Sequence, residues 1–133
     1  MPLIDLYGHL KDKMKEYLYR IDTSMLDKNA VITRAGYQRI IITTTERELK
    51  RINMEIATLI KEYGVSWILL SLTVKILKQI TPGQELKIYT HHTWQKGAIY
   101  RRDFKVLDEK SGEIIAYAAT FSSLFDISKR TGF

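Results

Sequence analysis

Four long segments in the second half of the sequence alternate between apolar and polar residues, and short turn sequences separate them. Alternation with a period of two is typical of strands, because successive side chains of a strand point to opposite faces. The pattern predicts four strands joined as an antiparallel meander, at 66–78, 85–94, 98–107 and 114–125. A chain with this pattern must build most of its core against an antiparallel sheet.

The residues before this sheet are predicted to form helices. From Thr33, a plausible N-cap, to Arg51 the sequence predicts one long helix, and a shorter helix follows at 54–62. The β-branched run Ile40–Thr45 favours a strand by propensity. A helix surrounded by a sheet can be apolar on most sides, so tertiary context can override that preference. The fold class expected is α+β, with the sheet wrapped around the long helix.

The N-terminal segment is predicted to be an amphipathic helix, because apolar residues recur at helical spacing over residues 2–17. A short strand is expected at 19–22. These features divide the chain into an N-terminal helix, 1–18, and a single domain, 19–133.

Composition excludes several classes of protein. The chain contains no cysteine, which rules out disulfides, thiolate metal sites and a cysteine nucleophile. No segment approaches the roughly 18 apolar residues that a membrane helix needs, and the N-terminus does not resemble a signal peptide, so we expect a cytoplasmic protein and no membrane partner. The glycines are dispersed rather than clustered in a phosphate-binding loop, and no cofactor is expected.

The formal net charge is +6, and residues 63–97, with four lysines and one glutamate, hold half of this excess. A solvated basic face is the simpler interpretation, and attraction to an acidic partner is the functional one. Nucleic acid is an unlikely partner, because the sequence lacks the recognition motifs expected of a nucleic-acid-binding protein.

Short motifs follow one another along the predicted strands. They are Trp67-Ile68-Leu69, Ile80–Leu86, Thr93-Trp94, Tyr100–Phe104, Asp108, Gly112–Ile115, Asp126 and Lys129-Arg130. In this order and spacing they resemble the acyl-ACP thioesterase family, over roughly residues 17–131. The resemblance implies a hotdog fold, in which a sheet curls around a long helix. It also implies a fatty acyl thioester of acyl carrier protein (ACP) or coenzyme A (CoA) as substrate.

Members of that family usually carry two hotdog domains, and this sequence resembles the first. Their catalytic residues lie in the second, so the resemblance transfers no catalytic residue. A lone hotdog domain usually pairs with a second copy, which implies a homodimer or tetramer. Ser122 stands where the family tends to have tryptophan, so the lining of the acyl site is expected to differ.

Hotdog enzymes typically place a carboxylate before or within the long helix. The matching catalytic candidates are Asp27 with Asn29, and Glu48, which lies one turn beyond Thr44 and Thr45; Glu46 is a weaker candidate. Asp27 also suits an ordinary turn. The two glutamates also suit surface ion pairs, Glu48 with Arg51.

Other residues are candidates for substrate binding. Acyl contacts are predicted for Thr44, Thr45, Trp67, Leu69 and Trp94, although the threonine hydroxyls could equally bond to helix carbonyls and the others could be core. His91 and His92 are adjacent on a strand and point to opposite faces, so no metal site is predicted.

Basic residues would receive the acidic carrier protein or the CoA phosphates: Lys75, Lys78, Lys87, Arg101 and Arg102. Two functions stay open at this point. One is a thioesterase acting as a homo-oligomer, and the other is a non-catalytic module that binds acyl thioesters.

Overall fold

The computed structural model describes residues 15–29, 31–127 and 131–132, which form an antiparallel sheet packed around one long helix. Five main strands and a short sixth make up the sheet. The elements in chain order are β1 (Lys15–Arg20), a 3₁₀ turn (Thr23–Met25), α1 (Arg34–Arg51), α2 (Ile56–Tyr63), β2 (Val65–Ile76), β3 (Glu85–Lys96), β4 (Ile99–Asp108), β5 (Ile114–Asp126) and β6 (Thr131–Gly132).

The spatial order of the main strands is β1-β3-β4-β5-β2, so the predicted four-strand meander is wrong for its first strand. β3, β4 and β5 do follow one another as hairpins, but β2 pairs with β5. The reason is the connection 77–84, which is longer than a tight hairpin. It leads from β2, at one edge, to β3 on the far side of β4 and β5, and it buries Ile80 in the core on the way.

Both predicted helices are present. Thr33 caps α1, because its Oγ1 accepts a hydrogen bond of 2.9 Å from the Gly36 amide. The β-branched run Ile40–Thr45 is helical, as predicted, because Ile40 and Ile41 are almost fully buried against the sheet. Gly36 has no side chain where α1 passes the 3₁₀ turn; an added Cβ would lie 2.7 Å from the Met25 carbonyl oxygen.

The predicted N-terminal helix is wrong for residues 15–17, which are extended in β1 and pair with β3. Pairing with an available strand satisfies the backbone there, and burial alternates along β1 as strand geometry requires. The rest of that prediction, residues 1–14, lies outside the described residues, as do Lys129 and Arg130.

Two β-bulges change which face of the sheet some side chains occupy. In β2 a bulge between Leu69 and Ser71 places Leu72 and Val74 on the helix-facing side, the same side as Trp67 and Leu69. The strict alternation predicted for 66–78 put these two pairs on opposite faces and is therefore wrong. An extra residue on one strand reverses the alternation beyond it.

The second bulge lies in β3, between His92 and Trp94. His92 pairs with Arg102 and is buried under the helix, whereas Trp94 pairs with Arg101 on the outer face and is 44% exposed. The alternation predicted for the strand at 85–94 would place Trp94 on the same face as Ile88 and His92, and it is wrong for this reason.

Candidate functional site

A cleft runs beneath the C-terminal half of α1. It crosses the inner face of the sheet from β2 over β5 to β4, along the paired residues Leu69, Ser122 and Tyr100. Two adjoining cavities form it, with volumes of about 140 Å³ and about 50 Å³. Five residues line both cavities: Thr45, Leu49, Trp67, Thr120 and Ser122.

The larger cavity is the open and mostly apolar end. Its walls include Ile41, Ile42, Ile56 and Leu69. Ile56 is 43% exposed and Leu69 is 40% exposed. Glu46 also lies on its rim. This end therefore suits an aliphatic group entering from the edge of the sheet.

The smaller cavity is the more enclosed end of the cleft, called the closed end, and polar side chains make up a larger share of its lining residues. Its own additional lining residues are Tyr100 and Arg102, which are 3% and 6% exposed. The ring of Tyr100 packs edge-on against Trp67, with a centroid distance of 4.9 Å, and the ring of His92 lies 5.4 Å away. Aromatic contacts of this kind hold the cleft wall in place.

Arg102 brings a positive charge to the closed end of the cleft. Its Nη1 donates a hydrogen bond of 3.3 Å to Thr90 Oγ1, on the neighbouring strand β3. Its charge also acts on Glu48, one of the factors that lower the pKa of that carboxyl group. A buried guanidinium of this kind is stable only with compensating partners, and Thr90 and Glu48 provide part of that compensation.

Glu48, the predicted catalytic carboxylate of the helix, is 2% exposed and joins α1 to β1. Tyr17 Oη donates a hydrogen bond to Glu48 Oε2, and Arg51 Nε donates to the same oxygen at 3.2 Å. Burial acts to raise the pKa of Glu48, but the hydrogen bonds from Arg51 and Tyr17, with the charges of Arg102 and Arg51, hold it below its usual value. The predicted Glu48–Arg51 ion pair is confirmed.

Asp27 and Asn29 lie apart from the cleft, on an exposed loop before α1. Asp27 Oδ1 accepts hydrogen bonds from the amides of Asn29 (2.8 Å) and Val31 (3.0 Å). This arrangement is a side-chain-stabilised turn, the simpler of the two interpretations of Asp27.

The two threonines differ in position. Thr44 is fully buried and donates a hydrogen bond of 2.8 Å to the Ile40 carbonyl. Thr45 donates to the Ile41 carbonyl at 2.9 Å and also lines both parts of the cleft. Of the residues predicted to contact substrate, the structure therefore brings Thr45, Trp67 and Leu69 together with Arg102.

The remaining predicted residues are on the outer face. Trp94 packs there on Phe121, with a centroid distance of 6.0 Å, and the Arg101 guanidinium lies 5.5 Å from the same ring.

The predicted basic residues lie in several places. Arg101 pairs with Asp103 at 3.0 Å, and Lys87 pairs with Glu16 at 3.6 Å. Lys75 occupies the exposed β2 edge, and Lys78 pairs with Glu113. The predicted basic group is thus divided, because Arg101 and Arg102 point to opposite faces.

Two motif residues have a structural role. Gln84 Nε2 donates a hydrogen bond of 2.7 Å to Asp108 Oδ1, and the Ser111 amide donates to Oδ2 at 2.8 Å. The bonds from Gln84 and Ser111 lower the pKa of Asp108 to about 2. These hydrogen bonds join the 77–84 connection to the turn between β4 and β5.

Sequence reasoning did not assign Tyr100 or Thr120 to the site. The available signal was alternation: Tyr100, Arg102 and Phe104 share one face of β4, and that face is buried under the helix. Neighbouring β5 contributes Thr120 and Ser122 by pairing with Arg102 and Tyr100.

Comparison with known proteins identifies the family. Residues 11–131 match the model of the acyl-ACP thioesterase N-terminal domain, so the chain belongs to this family. No curated protein matches the sequence.

Solved structures confirm the hotdog fold. A 1,4-dihydroxy-2-naphthoyl-CoA thioesterase from Synechocystis superposes with a TM-score of 0.82 at 13% identity, over 90% of this chain and 88% of that one. An acyl-ACP thioesterase from Bacteroides thetaiotaomicron gives 0.81 at 20% identity, over 91% of this chain and 49% of that one. The 12:0-ACP thioesterase from Umbellularia californica gives 0.76 at 16% identity, over 90% and 48%. The chain thus spans about half of these two ACP thioesterases.

No group of three or more His, Asp or Glu side chains in residues 15–29, 31–127 and 131–132 is placed to bind a metal ion. No helix in the same part of the chain is long and apolar enough to cross a membrane.

Proposed function

We propose that this protein hydrolyses a fatty acyl thioester of ACP or CoA to the free acid and thiol. The observation that best supports the proposal is the cleft under α1. Its open end is apolar and lies at the edge of the sheet, and the cleft narrows toward the interior of the protein. Membership of the acyl-ACP thioesterase family supports the same substrate class. The acyl group would enter beside Leu69 and lie between α1 and the sheet.

A second copy of the chain would complete the site. β2 is an edge strand, and it exposes Ile68, Leu70 and Ile76. Exposed apolar edge strands readily pair with another strand. We propose that two copies pair through β2 in a homodimer, which places the open end of each cleft at the subunit interface. A tetramer would be a dimer of such dimers.

An acidic carrier protein or the CoA phosphates would contact the basic residues near this edge and on the outer face, of which Lys75, Lys87 and Arg101 are the proposed contacts. The substrate needs no membrane, and a cytoplasmic location is part of the proposal.

Asp27, Asn29 and Glu48 are the proposed source of catalytic groups. A base must reach a water molecule at the thioester. Asp27 is exposed, and one of its oxygens accepts two amide hydrogen bonds. Glu48 is ionised but already accepts hydrogen bonds from Tyr17 and Arg51. Of the two carboxylates, Asp27 is therefore the more accessible one. Because it lies apart from the cleft of its own chain, it would act as the base on a thioester held outside that cleft.

The second candidate function is a non-catalytic module that binds acyl thioesters. The observation that favours it is that both carboxylates already accept hydrogen bonds. Glu48 accepts them from Tyr17 and Arg51, and Asp27 accepts them from amides of its own loop. The module would keep the cleft and release no thiol.

Thiol release distinguishes the two functions. Purified protein is mixed with octanoyl-CoA and octanoyl-ACP, together with Asp27→Asn and Glu48→Gln variants. The matched controls are Asp22→Asn, whose carboxylate accepts a similar amide bond of 2.7 Å from Ser24, and Glu62→Gln, an exposed carboxylate on α2. Loss of turnover in one candidate variant, with both controls active, would establish the enzyme and its base. Binding of acyl ligands without any thiol release would establish the module.

A further inference from the structure

A groove runs along the edge of the sheet, between β2 and the N-terminal half of α1, and has a volume of about 710 Å³. Small-molecule sites in proteins typically measure roughly 300–1,000 Å³, so the groove is large enough to hold a ligand, whereas each cavity of the cleft lies below that range. Leu69 lines both the groove and the open end of the cleft. A ligand whose acyl group fills the cleft can therefore continue into the groove.

The lining of the groove suits the polar part of a thioester better than its acyl chain. Apolar lining residues such as Leu72 and Val74 alternate with polar ones. The polar lining residues are Arg34, Gln38, Ser71 and Thr73, with Tyr37 beside them. The pantetheine arm of CoA and of ACP alternates amide groups with short aliphatic segments and ends in a phosphate group. Its chemistry therefore matches a mixed lining that includes one cation.

Arg34 is the cation of this groove, and it is the first residue of α1. The helix rises about 10 Å between Arg34 and Ile41, which lines the cleft, and an extended pantetheine arm can span this distance. Arg34 is exposed, and among the described residues it has no ion pair or side-chain hydrogen bond. The first turn of α1 contains no acidic residue. The positive end of the helix dipole opposes a cation at this position, and a bound anion would relieve that repulsion.

Tyr37 provides an independent indication of a ligand. It lines the groove and is 4% exposed, and its hydroxyl has no hydrogen-bond partner in the described part of the chain. A buried hydroxyl without a partner is unfavourable and uncommon in native structures. An oxygen atom of a ligand in the groove would accept the missing hydrogen bond.

We infer that this groove binds the phosphopantetheine arm of the substrate, with the phosphate group at Arg34 and an oxygen atom of the arm at the Tyr37 hydroxyl. The inference rests on acyl-thioester binding as the proposed function. The arm has the same chemistry in CoA and in ACP, so either can supply it. The groove borders the β2 edge at which a second copy is proposed to pair, and that copy is the competing occupant.

Calorimetry with thioethers that cannot be hydrolysed tests the phosphate contact. The two ligands are S-octylpantetheine and S-octylphosphopantetheine, which differ only in the phosphate group. We expect the phosphate to increase the affinity about 10-fold, the lower end of the range for hydrogen bonds to charged groups, because Arg34 is exposed. Added salt should reduce this gain, because it screens exposed charges. Equal affinities would overturn the inference, as would a groove filled by the second copy.

Variants locate the two contacts. Arg34→Met should remove the gain from the phosphate, and Arg34→Lys should retain part of it because the charge remains. Arg39→Met is the matched control, since Arg39 lies on the same helix outside the groove and donates a hydrogen bond of 3.2 Å to Ser24. Tyr37→Phe should weaken both thioethers severalfold without lowering the free energy of unfolding, because the hydroxyl lacks a partner among the described residues. A gain that survives Arg34→Met, or unaltered affinities in Tyr37→Phe, would contradict the assignment.

The same ligands separate this inference from the proposed function. Binding of thioethers does not depend on hydrolysis, so absence of thiol release leaves the effect of the phosphate measurable. Thiol release from octanoyl-CoA without any gain from the phosphate would retain the enzyme and reject the inference.

Two larger ligands identify the source of the arm. They are S-octyl-CoA and ACP that carries the S-octyl arm. Arg34→Met should weaken the ligand that the groove accepts, so a loss of affinity for one of them identifies CoA or ACP as the source, and a loss for both shows that either serves. No loss for either ligand would contradict the inference.

Discussion

The two halves of α1 face different surroundings. The N-terminal half buries Tyr37, Ile40 and Ile41 in an apolar cluster with residues of β3, β4 and β5, such as Phe104 and Val106. The C-terminal half carries Thr45 and Glu48 and covers the part of the sheet that holds Arg102, Thr120 and Ser122. One helix thus contributes to the apolar core at one end and to the cleft at the other.

The largest effect is expected from Ile40→Ala in the N-terminal half. Ile40 is fully buried, and removal of its side chain leaves a cavity that should lower the free energy of unfolding by about 3 kcal/mol. Urea denaturation at pH 7 measures this change in the free energy of unfolding. The affinity for S-octyl-CoA, a thioether analogue of an acyl-CoA that cannot be hydrolysed, should not change. A changed affinity, or a loss of stability below about 1 kcal/mol, would contradict the division of the helix.

Glu48→Gln tests the C-terminal half. It weakens the bonds from Tyr17 and Arg51 and should cost about 2 kcal/mol at pH 7. The pKa of Glu48 is lowered by folding, so its contribution is complete above the unfolded-state pKa of about 4.3 and is lost as the pH falls through the folded-state pKa. The stability difference between wild type and variant should therefore shrink in acid, and an undiminished difference would argue against the ionised carboxylate. Glu46→Gln, which is exposed, is the control.

Trp94→Ala compares the inner and outer faces. Trp94 packs on Phe121 across the outer face, and loss of this contact should cost about 1 kcal/mol. The affinity for S-octyl-CoA should stay the same, because the cleft lies on the other face. Trp67→Ala, on the cleft side, should weaken that affinity. Weaker binding of S-octyl-CoA to Trp94→Ala would show that Trp94 contributes to the acyl site, as first predicted.

Thr45→Val is the mildest change. The hydroxyl of Thr45 is satisfied by the Ile41 carbonyl within the helix, so the stability loss should be about 0.5 kcal/mol. The cleft becomes more apolar, and S-octyl-CoA should bind a fewfold more tightly. Thr43→Val, two residues earlier on the same helix, should leave this affinity unaltered. The same gain in both variants would place the effect outside the cleft.

Much of the fold was predictable because local patterns and tertiary contacts agree. The Thr33 cap and the long helix to Arg51 are both present where the sequence predicts them. The N-terminal segment was misassigned because its apolar spacing suits a helix, whereas residues 15–17 pair with β3. Pairing with a distant strand leaves no reliable mark on a local pattern.

The site was less predictable because it depends on contacts between distant segments. Trp67, Leu69 and Thr45 were identified as acyl contacts from their residue types, and they line the cleft. Trp94 was placed on the wrong face because the sequence does not mark the bulge that follows His92. One extra residue in a strand is enough to reverse the alternation.

The sequence by itself determined the α+β class, the long helix, the four long strands and the family, because each depends on residue order and on periods that a single segment contains. Tertiary structure alone decided the strand order, the separation of Arg101 from Arg102, and the meeting of Arg102 with Thr120 and Ser122 beneath α1. Those features depend on which strands become neighbours and where a bulge falls. Both are settled by packing across the whole sheet.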